Sequence, residues 1–132
     1  MQNLAGRHWT PLSAARTARA LRAGSADPVR LVVQFADDFR AAPPHERAPL
    51  VAEAPPTTGD GRLDALLAGV VEHLCHLLYV EAPAWVDEPS RFLDEWWFVA
   101  GLHDLRALAL VESPAGLRRR GVFVTEGFLA SA

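Results

Sequence analysis

Residues 62–80 read RLDALLAGVVEHLCHLLYV, and the spacing of their apolar positions decides the class of fold. Leu63, Leu66, Leu67, Val70, Val71, Leu74, Leu77 and Leu78 recur at intervals of three and four. That is the period of one helical face, not the alternation of a strand. The stripe predicts a helix over 62–80, long and apolar enough to be the centre of a core. Just upstream, residues 54–61 (APPTTGDG) form the clearest cluster of turn residues in the chain and predict a loop or linker. Pro83 breaks the chain downstream.

Working outward, helix starts are marked by a capping residue followed by proline. Thr10-Pro11, Asp27-Pro28 and Ser113-Pro114 each place a side-chain acceptor at the N-cap and proline at the first helical position, where its missing N–H costs nothing. The first helix is expected over 11–23, closed by Gly24. The second is expected over 28–41, with Val29, Val32, Val33, Ala36 and Phe39 inward and Arg30, Gln34, Asp37 and Asp38 on the wet side. Pro43 and Pro44 end it, and a short helix is expected over 45–53. Beyond the central helix, the pattern predicts one or two turns within 90–95, a helix over 102–111, a short helix over 114–120 ending at Gly121, and a last turn capped by Thr125. The runs 97–99 and 122–124 are aromatic and β-branched and are expected to pair as a two-stranded ribbon, which needs helices behind it to be stable.

The expected fold is therefore mainly α: a compact helical domain around one central helix, with one short two-stranded β pair near the C-terminus. A chain of 132 residues reads as a single domain over 1–132. Within it, 1–27 is an N-terminal helical arm, 54–61 a loop, and 62–132 the core helix with an aromatic, arginine-rich C-terminal part. The first fifty residues carry too little apolar area to fold alone.

Composition narrows the function classes. The net charge is −3, which argues against a nucleic-acid footprint spread over the whole domain. All thirteen basic residues are arginine; lysine and isoleucine are absent and Asn3 is the single asparagine, a bias expected of a GC-rich bacterial genome. No run of about 18 apolar residues is present, which excludes a membrane span, and the N-terminus lacks the apolar stretch of a signal peptide. Cys75 alone cannot form an intrachain disulfide and fits a reducing compartment, so a cytoplasmic protein is expected.

Trp85, Trp96 and Trp97 crowd the C-terminal third, next to Arg118, Arg119 and Arg120. Indole carries a large apolar area and an N–H that needs a partner when buried. Adjacent tryptophans in an extended segment point to opposite sides, so one of Trp96 and Trp97 is left to face a second layer, a partner or solvent. Trp85, Trp96, Trp97, Phe98, Arg118, Arg119 and Arg120 are accordingly the candidate partner-binding residues. The arginines admit two readings: forks for phosphates or an acidic partner, or solvated charges complementing the end of a short helix.

Glu72-His73-Leu74-Cys75-His76 holds weak candidates for a metal, His73, Cys75 and His76, since imidazole and thiolate suit zinc. A structural site needs about four ligands, however, and no second cluster supplies them. The plainer reading pairs Glu72 with His76 at i,i+4 and makes Cys75 a small core residue. His103-Asp104 resembles the orienting half of a triad, but neighbours on a helix diverge by about 100°. No set of residues defines a catalytic site or calls for a cofactor. Arg16, Arg19, Arg22 and Arg30 give the N-terminal helices a basic side, which carries the alternative of a DNA-binding regulator. A small enzyme or metal-binding protein centred on Glu72, His73 and His76 is the other alternative.

RLVVQFADDF (30–39), TGDGRLDALLAGVVEHL (58–74), PAWV (83–86), PSRFLDEWWFV (89–99) and LRRRGVFV (117–124) together resemble a domain common in high-GC actinobacteria. Such domains occur alone or behind Xre-type helix-turn-helix domains, in toxin–antitoxin gene pairs with nucleotidyltransferase-like proteins. The resemblance spans 29–132. It implies a non-enzymatic, antitoxin-like or regulatory protein whose partner is a toxin encoded by a neighbouring gene; a homodimer is a separate expectation. Two departures stand out: the chain has no room for a complete DNA-binding domain before Asp27, and HLLYVE (76–81) stands where relatives tend to carry a glycine turn.

Overall fold

The computed structural model describes residues 9–99, 109–110, 112–125 and 127–130. They form a mainly helical fold with one short parallel sheet near the C-terminus. The pair His103-Asp104 and most of the helix expected over 102–111 lie outside the described residues.

The central helix, α4 (Gly61–Leu77), has Ala65, Leu66, Leu67, Ala68, Val70, Val71, Leu74 and Cys75 buried. A helix buried on nearly every side must be covered by layers on more than one face. On one face lie α1 (Ala14–Ala23) and α2 (Pro28–Ala41), with α3 (Pro44–Ala52) against α1 and α2. On the other lie two 3₁₀ turns (Ala84–Asp87 and Pro89–Arg91), the short helix α5 (Ala115–Arg118) and strand β2 (Val122–Phe123). A last turn, α6 (Gly127–Ala130), follows Thr125.

The loop ahead of α4 is tied down and is no linker. Asp60 caps the helix through the Arg62 N–H at 2.9 Å. The buried Asp64 carboxylate accepts from the Thr57 hydroxyl at 2.6 Å and from the Thr58 N–H and hydroxyl at 2.8 and 2.7 Å. The Pro55 carbonyl accepts from Arg91 Nη2 at 3.0 Å, which joins this loop to the second 3₁₀ turn.

Several expected boundaries move for identifiable reasons. Asp27 caps α2, with Pro28 at its start, as the sequence indicates. α1, however, begins at Ala14 and not at Pro11, because Ser13 supplies the cap to the Arg16 N–H at 3.0 Å. The preceding Leu12 N–H is taken by Asp38 at 2.8 Å. Asp38 is thus buried and not on the wet side of α2; its other oxygen accepts from Gln34 Nε2 at 2.8 Å. Pro44 opens α3 as well as ending α2, and Arg47 on α3 donates to the Phe39 and Arg40 carbonyls at the end of α2. Ser113 does not cap α5. Its hydroxyl accepts from the Val124 N–H at 2.8 Å and lies within hydrogen-bonding reach of the Ala109 and Val124 carbonyls, joining two distant segments.

The end of α4 also differs from expectation. The helix stops at Leu77 in a Schellman-type turn, with the Leu78 N–H on Leu74 O and the Val80 N–H on Cys75 O, both 2.9 Å. Tyr79 occupies the left-handed position at φ 58° and is 97 % exposed. A β-carbon is disfavoured there, by roughly 1 kcal/mol. Tyr79→Gly is therefore expected to raise stability by about 0.5 kcal/mol once the looser unfolded chain is counted against the gain; urea unfolding with an unchanged slope checks it.

β1 (Trp97–Phe98) and β2 pair in parallel, Trp97 beside Val122 and Phe98 beside Phe123. A parallel pair needs a crossover, and the segment between the strands includes α5, which packs on α4. Among the described residues, no helix is long and apolar enough to cross a membrane.

Candidate partner-binding surface

The seven residues singled out in the sequence divide into anchors and surface. Trp85 is an anchor, only 6 % exposed: its Nε1–H donates to Val51 O at 2.8 Å and the Arg91 guanidinium lies 4.7 Å over its ring. Arg120 is the second anchor and is fully buried. Its Nη1 donates to Glu72 Oε1 and Gly116 O, both at 2.6 Å, its Nη2 donates to Val86 O, and its guanidinium packs 4.7 Å over Phe92. Trp85 and Arg120 therefore hold the fold and present no surface, contrary to their place in the expected binding set.

Arg119 and Arg118 are committed as well. Arg119 donates to Glu72 at 2.8 Å and to Asp87, so one carboxylate on α4 and one on the first 3₁₀ turn gather two guanidiniums. Arg118 Nη2 donates to the Ser113 carbonyl at 2.7 Å. The triple arginine is thus largely a clasp that fastens the C-terminal segment across the central helix. Glu72 is its counterpart, 48 residues upstream of Arg120, and not the i,i+4 partner of His76.

The aromatic residues behave differently. Trp97 is half-buried, packed on the core, with Arg62 5.7 Å over its ring. Trp96 points the other way and is 64 % exposed. Its ring rests on Phe123 at 4.9 Å, and Phe123 stacks on Phe98 across the sheet at 5.1 Å and 22°. Gly121, at φ 81°, makes the turn into β2 beside Trp96. The outcome is an indole held in place from beneath by an aromatic ladder with its outer face open.

A cleft of about 370 Å³ opens beside the end of α4, lined by Glu72, His73, His76, Val80, Ala82, Ala115 and Gly116. Burial, with Arg40 and His76 nearby, holds His73 below the ordinary histidine value of 6.5. Burial would raise Glu72, but hydrogen bonds from Arg119 and Arg120 outweigh it and hold the carboxyl below 4.5. Cys75 faces the core, where burial pushes its thiol up to about 11, so it is a protonated thiol at neutral pH and a poor ligand. Among the described residues, no three His, Cys, Asp or Glu side chains converge as a metal site.

The His73 and Glu72 shifts set an acid dependence. Both groups bind protons more readily in the unfolded chain, so stability is full above about pH 6.5 and falls as His73 is forced to charge. It falls further below about pH 4.5, as Glu72 protonates and releases the two arginines. His73→Asn is expected to flatten the upper part of a Tm-against-pH curve and leave the lower part.

No protein-family model matches the chain, and no curated protein and no solved structure is detectably similar to it.

Proposed function

We propose that this chain is a non-enzymatic interaction domain, an antitoxin-like or regulatory protein that binds a partner protein encoded by a neighbouring gene. The observation that carries the reading is the placement of Trp96: 64 % exposed, yet fixed by Phe123 beneath it. A rigid exposed indole contributes strongly to protein contacts because it buries a large area with little loss of side-chain freedom. The resemblance in motif order to the actinobacterial domains named above is the second support for this reading. Co-expression with each adjacent gene product, followed by affinity purification, tests the proposal. A stoichiometric complex with one of them is expected; purification of the chain free of both counts against it.

A second reading, a small enzyme or metal-binding protein, draws on the cleft that Glu72, His73 and His76 line. Against it, Glu72 is occupied by Arg119 and Arg120. Elemental analysis of folded protein decides the metal version: stoichiometric zinc favours it, and metal-free folded protein removes it. The DNA-binding reading is weakened by the ties of Arg19 to Glu53 and of Arg22 to Thr57 O.

A further inference from the structure

We infer that the partner surface received by Trp96 is electropositive: Trp96, with Asp94 and Glu95 before it, is a docking site for arginine or lysine side chains of another protein. The inference rests on the protein-binding role proposed above and names the chemistry of the partner.

Charge decides it. Asp94 and Glu95 are exposed and make no ion pair with another described residue. Of the arginines at 118–120, Arg119 is paired with Glu72 and Asp87 and Arg120 lies within the core, while Arg118 is hydrogen-bonded to the Ser113 carbonyl and keeps its charge. Two exposed carboxylates without an ion pair to any described residue thus stand next to the indole in sequence, on a chain whose net charge is −3.

The aromatic side agrees. Arg91 lies over Trp85 and Arg62 over Trp97, while Arg119 and Arg120 both lie over Phe92. Of these three C-terminal indoles, Trp96 alone has no guanidinium over its ring from any described residue. Arginine, planar and weakly hydrated, suits both an open indole face and a carboxylate. Single-stranded nucleic acid can stack on an exposed indole too, but the negative charges of Asp94 and Glu95 disfavour its phosphates.

The test is a titration of the isotopically labelled full chain, followed through the Trp96 indole resonance and the backbone amides of residues 94–96. The probe is a nonapeptide alternating arginine and glycine; controls are its glutamate counterpart and a nine-nucleotide oligothymidylate. Saturable shifts centred on Trp96 are expected with the basic peptide alone, weakening as salt rises. Trp96→Ala and the double variant Asp94→Asn/Glu95→Gln, both folded, are each expected to weaken binding about two- to fivefold, on the scale of a surface cation–π or ion pair. An unmoved Trp96, shifts equal to those with the acidic peptide, a response to the oligonucleotide, or full binding by the double variant overturns the inference. The two proposals fail separately: a complex with the adjacent-gene product without peptide binding removes only the electropositive partner. Peptide binding without such a complex removes the adjacent-gene role.

Discussion

Replacing Gly69 by alanine is expected to destabilise the protein by about 2 kcal/mol, although alanine is the better helix former by about 1 kcal/mol. Gly69 lies in the middle of α4, where Leu117 of α5 crosses the helix. A β-carbon there would stand 2.4 Å from Leu117 Cδ2 and 3.2 Å from its Cα. Leu117 is fully buried, so its side chain has nowhere to retreat and α5 itself must move. Overpacking of about 3 kcal/mol, less the helix gain, leaves the stated loss, a Tm lower by roughly 7 °C in a chain of this size. Gly61→Ala is the control: its β-carbon meets nothing within 4 Å, and its Tm is expected to hold or rise slightly. Differential scanning calorimetry of the two variants checks the contrast.

The second large effect concerns the buried cation. Glu72→Ala leaves Arg120 fully buried, with two backbone carbonyls and Asp87 at 3.9 Å. Breaking a buried pair by removing one partner costs about 3–5 kcal/mol, because the remaining charge is stranded. A loss of about 3 kcal/mol is expected. Adding Arg120→Met removes that charge while filling much of its space. The cost that remains, about 2 kcal/mol, is that of the Gly116 and Val86 carbonyls losing their donor. The double variant is therefore expected to be more stable than Glu72→Ala alone, a non-additivity that chemical denaturation of the pair reads directly.

The two residues mark what was legible in the sequence. The apolar period of 62–80 and the Asp27-Pro28 signal each report on their own neighbourhood; α2 starts where its signal points, and α4 follows its stripe as far as Leu77. Arg120 could not be read that way. A triple arginine looks solvated, and the carboxylate that draws Arg120 inside lies 48 residues away on α4. Asp38 departs from its pattern for the same reason: its place on α2 says polar face, but the Leu12 N–H ahead of α1 makes it a buried acceptor. Ser113-Pro114 has the form of a cap, yet its hydroxyl bridges Ala109 and Val124. The divergence of Trp96 and Trp97 followed from strand geometry alone. Which of them faces outward did not, because that depends on Phe123 arriving from β2. Two short runs cannot state that they pair in parallel; the packing of the intervening α5 on α4 accompanies that direction.

The most direct measurement is the affinity of the Trp96→Ala chain for the adjacent-gene product that co-purifies with the wild type, with Tm taken on the same samples. Truncating a central indole contact costs about 2 kcal/mol or more, so a loss of at least about 30-fold in affinity is predicted, with a Tm that falls much less than in Trp85→Ala. Wild-type affinity in the variant, or a Tm that falls as far as in Trp85→Ala, would contradict it.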